Sequence, residues 1–548
     1  MRDKRKMLAM GMFGGSNPFA YRNSWLHTVY VATTGNDATG NGSKATPYLT
    51  LTKAMTVAVA GDGILLADGT YAENTSATGY WDINNKAFAT WVVIEPEKGA
   101  TGNVTITAAT PSQYYTRLQG TTSYIHFKNL KFDGAYFPVH IGGNVSNVKF
   151  TDCATLTVAS NTHAGITIAG AGFTVTNITF DNFTVRAPTA GVSFVGVNIA
   201  GHITNYHDIA FNNCAINGIY QGYNISACGA LAISGGTVSG GSGGGNYISL
   251  VNAGAATISN LVATALGATG ITCSSAGNVA TFTNCTLPGI TSFGAGNVTF
   301  TGCTMGSIAS GATVAAATPS FINCTAIGTT SVFQSNGITG IVITGGTYTT
   351  TGNGNGILFG VDGTTGNTTT ATMTNVTVVH DPTKTGHGVL FGAGCLNCVA
   401  DGVSIPTAYD YGLVVKENTG TEVKNCTIAS GSTAGLCFKA AIGANAHSNT
   451  ITTPTGSGFW MTVGDTGNKC STWQLQNNTI NVSGTGKALK IGTATADIGG
   501  GICDYNTYQN NSGLGAVRGD TNVTNLAELQ AAWADYDVTT NDSNSTVV

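Results

Sequence analysis

The chain has 548 residues, of which 42% are hydrophobic and only 9% charged, against roughly 25% charged in an ordinary globular protein. A net charge of −4 gives no electrostatic case for nucleic acid, and no stretch nears the roughly 20 apolar residues of a membrane-spanning helix. Scarce Glu, Lys and Gln beside plentiful Val, Ile, Thr and Gly exclude a helical protein and point to short strands joined by many turns.

The N-terminal "MRDKRKMLAMGMFGG" joins a basic start to a short apolar run. Gly11 interrupts that run and no small-x-small cleavage site follows it, so a secretory leader fits poorly. Residues 1–27 are instead expected to form an attachment segment, with Phe13, Pro18, Phe19, Tyr21 and Trp25 as its docking side chains. Next comes "VYVATTGNDATGNGSKATPYLTLTKAMTVAVAGDGILLADGTYAE", Val29 to Glu73. This stretch resembles the opening of right-handed parallel β-helix proteins of the pectate-lyase-like superfamily. The resemblance implies an all-β solenoid: a first strand, a Gly/Asp loop, a short helix near Leu51–Val59 over the apolar end, then coils. On that basis the cap covers residues 28–60, the coils 61–510, and a C-terminal cap and tail 511–548.

Along the coils one slot recurs, following an apolar residue, any residue, and Asn, Asp or Gly. It holds Cys153, Phe183, Cys214, Gly236, Leu261, Cys285, Cys303, Cys324, Gly346, Val376, Gly402, Cys426, Thr450 and Asn478, at steps of 18 to 31 residues. A second motif, Gly-apolar-x-apolar, occurs at Gly165, Gly191, Gly356, Gly388, Gly412, Gly435 and Gly458. Short alternating strands with Gly/Asn corners at this period describe a parallel β-helix. At a strand spacing of about 4.8 Å, roughly fourteen coils from Cys153 to Asn478 would make a rod about 65 Å long.

Six of the 13 cysteines share the slot, which reads as a small inward ladder rather than a disulfide frame. Cys395-x-x-Cys398 stands alone, so neither metal nor cofactor is expected. The odd cysteine count suits synthesis in a reducing compartment. Asn-x-Thr sequons at Asn177, Asn284, Asn297, Asn323, Asn375 and Asn425 read as left-handed corners followed by strand formers, not glycosylation sites.

No Asp, Glu, Lys or Arg occurs from Ile209 to Val361. A charged cluster follows: Asp362, His380, Asp381, Lys384, His387, Asp410, Lys416 and Glu417. Alignment on the Gly motif puts His387 with Tyr411, and Lys416 with Lys439, on neighbouring coils. Asp381, Asp410, Lys416, Glu417 and Lys439 are therefore the candidate catalytic residues, with a lysine as base or a carboxylate pair for hydrolysis. Surface charges at coil corners would give the same pattern.

The outward position of the Gly motif changes along the chain. It is Thr167 and Ser193 early, then Leu358, Leu390, Val414, Cys437 and Trp460. Such an apolar column suggests a subunit interface, with a homotrimer as the natural form; the competing account is cover by a loop within Asp465–Gln474. At the C-terminus, "CDYNTYQN" and "NLAELQAAWADYDVTTNDSNS" resemble the closing coil and short helix of the same superfamily.

Three functions follow as expectations. The first is a structural or adhesive rod on a phage particle, such as a tailspike, fibre or head decoration, attached to other virion proteins by its N-terminal segment and binding host glycan. The second is a polysaccharide lyase or glycoside hydrolase. The third is a secreted or cell-surface bacterial adhesin. None calls for nucleic acid or membrane insertion.

Overall fold

At one corner of each coil a residue in the left-handed backbone conformation turns the chain from one strand into the next. Asn129, Asp152, Asn182, Asn213, Asn260, Asn284, Asn323, Asn375, Asn425 and Asn477 all have φ between 50° and 55° at this corner. Asn and Asp tolerate that region better than other residues with a side chain. Gly235, Gly302, Gly345 and Gly402 take the same place in other coils, where a Cβ would meet the Asn side-chain oxygen of the preceding corner. Five of the six sequon asparagines have positive φ (Asn297 is the exception), in agreement with the corner reading.

The computed structural model describes residues 25–548 except 74–80, 109–113, 134–136, 157–163, 187–193, 203, 218–219, 240–245, 265–269, 274–277, 294–295, 311–317, 361–368, 409, 430–431, 465–466, 493–497, 511–513, 518–520 and 534–537. Phe13, Pro18, Phe19, Tyr21, Ser193 and Asp362 lie outside the described residues.

Three parallel sheets form the walls of a β-solenoid. Sheet I includes Asn144–Thr151, Val175–Asp181 and Tyr206–Asn212; sheet II, across the left-handed corner, includes Ala154–Thr155, Thr184–Arg186 and Ala215–Asn217. Sheet III includes Ala164–Ala169 and Val195–Ala200. Strands pair with the same strand of the next coil, as in Phe150↔Phe180 and Phe180↔Phe211. About fourteen coils lie between Cys153 and Asn478, as the repeat predicts.

Because the sheet I pairing is unbroken from Phe127 to Phe211 and from Phe282 to Phe321, like side chains stack along the core there. Phe127, Phe150, Phe180 and Phe211 form one stack, with ring centroids 4.7, 4.8 and 5.0 Å apart. Phe282, Phe300 and Phe321 form a second at 4.7 and 5.2 Å. All these rings are fully buried, so each contributes about 1.5–3 kcal/mol of apolar transfer.

The recurring slot has a chemical meaning that composition hides. Cys153, Cys285 and Cys324 each donate their thiol to a carbonyl of the preceding coil, those of Phe127, Ile258 and Phe300, at 3.4–3.6 Å. Late in the rod asparagine does the same: Asn449, Asn478 and Asn506 donate Nδ2–H to the carbonyls of Val423, Ala446 and Leu475 at 2.9–3.0 Å. They also bond to one another, Asn449 to Asn478 at 2.9 Å and Asn478 to Asn506 at 3.1 Å. This corrects two slot assignments. Pairing of Met373 with Ala400, and of Val423 with Ala446, puts Val403 and Asn449 in the slot rather than Gly402 and Thr450.

Both ends are closed. The helix Leu51–Val57 covers the first coils; Thr50 caps it, and the buried Glu73 carboxylate accepts from the Leu51 and Thr52 amides at 2.7 and 3.1 Å. Trp25 lies against Gly63, where a Cβ would fall 2.6 Å from its ring, so it belongs to the cap and not to a free docking segment. Parallel pairing continues past Asn510: Val538–Asn541 adds to sheet I and Thr546–Val547 to sheet II. The buried Asp542 gathers the closing coil, accepting from Trp533 Nε1 at 2.6 Å, Tyr508 OH at 2.9 Å, Ser545 Oγ at 2.5 Å and Cys503 Sγ at 3.2 Å. The strand Thr521–Val523 pairs antiparallel with Gly515–Val517 and ends sheet III.

Two outcomes follow. Asn478→Ala removes the middle of the amide ladder and leaves buried partners unsatisfied, so it should lower stability by about 3 kcal/mol or more, read as a lower denaturant midpoint. All 13 cysteines are free and buried. Burial pushes the thiols of Cys153, Cys214, Cys273 and Cys426 up to about 12, so they stay protonated at pH 8. The native protein should therefore react negligibly with a thiol reagent at pH 8 and titrate all 13 in denaturant.

Candidate functional site

The outward column of sheet III runs the length of the rod and changes chemistry as it goes. Its first members are Asp82, Arg117 and His140, paired across three successive coils. Thr167, Asn198, Asn224, Ser249 and Thr272 follow in register. Farther on it becomes Gln334, Leu358, Leu390, Val414, Cys437, Trp460 and Lys490.

At the charged end, Arg117 meets Asp82 through two nitrogens, Nε to Oδ1 at 3.4 Å and Nη2 to Oδ2 at 3.2 Å, and Gln119 also donates to that carboxylate. Both side chains are mostly buried, 21% and 14% exposed, so the pair is shielded from salt. Burial, reinforced by the Arg117 charge, pushes His140 down to about 4 and leaves it neutral near pH 7. Density of charge along the sequence does not reveal this group, because its members are 35 and 23 residues apart. The register of the coils alone assembles it.

In the middle segment the column carries hydroxyls and amides only. Asn224 Nδ2 donates to Asn198 Oδ1 at 2.9 Å. Thr167 is 4% exposed, and its hydroxyl has no partner among the described residues. Several coils of this seam fall in the stretch without charged residues, so its polarity comes entirely from Ser, Thr and Asn.

The charged cluster expected beyond Gly356 splits in two. His387 pairs with Tyr411 and Lys416 with Lys439 on neighbouring coils, as the alignment predicts. Glu417 joins the two lysines: its amide donates to the Lys439 carbonyl at 2.8 Å, and its carboxylate packs against Gly464. Asp410 is not near them. It stands at the other end of the strand Tyr411–Lys416, roughly 20 Å along it, where its carboxylate accepts from the Gly386 amide at 3.2 Å. Asp381 is a turn residue there, accepting from the amide and hydroxyl of Thr383 at 2.9 and 2.7 Å; those bonds hold its carboxyl below the usual range. His380 is fully buried and bonds the Gly354 carbonyl at 2.7 Å.

The apolar column shares the register read from the sequence, yet it is not an exposed surface. Leu358, Leu390, Val414 and Cys437 are 1–8% exposed within the single chain. The premise for a subunit interface on those residues, a large exposed apolar stripe, is therefore absent. Trp460 is only partly buried, with Tyr411 stacked on it at 5.9 Å and Lys490 Nζ 4.4 Å from its ring centroid.

Residues 33–264 match a family described as a protein of unknown function (DUF1565). No curated protein matches the chain in sequence. Among solved structures it is similar to pectate lyase Pel9A, at 16% identity over 57% of this chain and 80% of that one, TM-score 0.36. It is also similar to the PL6 family alginate lyase AlyGC, at 10% identity over 95% and 100%, TM-score 0.32. A third is the Azotobacter vinelandii mannuronan C-5 epimerase AlgE4 A-module, at 10% identity over 89% and 91%, TM-score 0.23. At this distance the likenesses say nothing about activity.

Proposed function

We propose that this chain is the glycan-binding shaft of a phage virion appendage. In this reading it is a stiff solenoid made in reducing cytoplasm, held to the particle by residues 1–24, and it binds host polysaccharide along the outer face of sheet III. The polar seam from Thr167 to Thr272 carries the glycan part. Its partly exposed members Asn198, Asn224 and Thr272 offer two amides and a hydroxyl, Thr167 and Ser249 being buried, on coils set at about the 4.8 Å strand spacing. A polyhydroxylated chain lying along the rod can exchange hydrogen bonds with these groups, whereas an apolar or charged partner finds no complement there. The free, buried thiols suit a protein that never passes through an oxidising compartment.

Bond cleavage has weaker support. Hydrolysis needs two carboxylates about 5 to 9.5 Å apart, and Asp410 and Glu417 flank opposite ends of one strand. The arginine of the Asp82–Arg117 pair is already engaged by its carboxylate. Binding without cleavage is therefore the favoured function.

Native electrophoresis through gels containing dextran, mannan, xylan or alginate tests the binding. At least one polymer should slow the full chain, the double variant Asn198→Leu/Asn224→Leu should migrate faster there, and the polymer should keep its length. Equal mobility in every gel would remove the glycan reading. Separately, deletion of residues 1–24 should leave thermal unfolding unchanged and abolish incorporation into particles; incorporation at the full-length level would refute the attachment role.

A further inference from the structure

Sheet I carries a second feature that the repeat does not require. Midway along its strands the backbone turns left-handed at Asn147, Asn177 and Asp208, with φ of 53°, 54° and 58° on successive coils. Asn177 Nδ2 donates to Asn147 Oδ1 at 2.6 Å, so the position is an outer amide ladder. The coil before Asn147 places Tyr124 there, at φ 60°. Tyrosine gains nothing from this conformation and is disfavoured in it, whereas Asn or Asp would continue the ladder. An outlier of this kind, kept where the neighbouring coils show a better choice, points to a use for the side chain.

The next strand inward supplies that use. Ala87 pairs with Ser123 and Val92 with Ile125, so four residues, Phe88 to Trp91, stand opposite Tyr124 alone. The bulge delivers Trp91 to the outer face, where it is 37% exposed. Its ring meets Tyr124 edge to face at 5.6 Å and His126 at 6.0 Å. Around this aromatic corner the charges are matched: Lys128 pairs with Glu95 at 2.7 Å and Lys149 with Asp181 at 2.5 Å. Burial, with the two nearby lysines, pushes His126 down to about 4, and it bonds the Thr151 hydroxyl at 2.9 Å.

We infer that Trp91 and Tyr124 form a stacking subsite for a neutral pyranose, the bulge presenting the rings and the paired side chains bonding sugar hydroxyls. The inference rests on the glycan-binding reading and names the sugar class. The apolar face of a pyranose covers an exposed indole, and its rim of hydroxyls reaches charged groups that accept and donate. Matched charges give no preference for a uronate, and an anionic polymer would have to break an existing ion pair.

The gels containing dextran, mannan or alginate separate the outcomes. Trp91→Ala should weaken retardation by a neutral polymer about ten-fold, the loss of roughly one stacked contact. Tyr124→Asn should weaken it too while unfolding at the same or a higher temperature, since it restores the amide ladder. Alginate should not compete. Wild-type retardation by both variants would overturn the subsite and leave glycan binding standing. So would equal competition by alginate, or a change of oligomeric state in Trp91→Ala by light scattering. A full chain that no polymer slows overturns both readings, and loss of retardation in Asn198→Leu/Asn224→Leu with none in Trp91→Ala or Tyr124→Asn overturns the sheet I subsite and leaves the sheet III seam as the binding face.

Discussion

The left-handed corner between sheets I and II fixes everything else in this molecule. It costs little only for Asn, Asp or Gly, and nearly every coil has one of these there. With the corner fixed, the side chains on either side have a set inward or outward sense, and a slip of one residue would turn a whole strand inside out. The phenylalanine stacks, the thiol and amide slot and the outward columns are all consequences of that repeated turn. Function, too, depends on it, because residues far apart in sequence become neighbours only through the register.

That dependence explains what could be read from the sequence. The repeat shows because the corner asparagine and the apolar residue two places before it recur with few insertions, and the stacking of Cys285 on Cys303 follows directly. The slot is misread at Val403 and Asn449, where an apolar or cysteine expectation meets a glycine corner and a buried amide. A buried asparagine looks like a corner until its partners are known. Asp82, Arg117 and His140 have no common local motif, so only coil pairing unites them. Charge density near residues 380–417 is a feature of the chain, and the strand separates its members in space. The column from Leu358 to Trp460 is visible from alternation, but what covers it depends on distant segments that alternation does not address.

The two outer faces divide the chemistry. Sheet III carries a graded seam that passes from an ion pair through neutral hydroxyls and amides to a buried apolar strip. Sheet I carries an aromatic corner where a bulge and a disfavoured backbone conformation coincide. In both, the scaffold repeats faithfully and the informative residues are those that break the repeat. A solenoid with so little surface charge leaves hydrogen bonding and stacking as its main means of recognition, and those are the terms in which polymers of sugars are bound.

The closing node around Asp542 has a consequence for the solution behaviour of the rod. A stack of parallel strands is a template that can add further strands at an open end, as cross-β fibres do. Here the last coil is tied by a buried carboxylate with four donors, and sheet III ends in an antiparallel strand whose direction cannot continue the stack. Sheet III changes polarity at its last strand, sheets I and II end in parallel strands, and the helix Leu51–Val57 covers the first coils. The last coil is thereby held by buried side-chain bonds as well as by strand pairing, and its strands resist fraying from the stack.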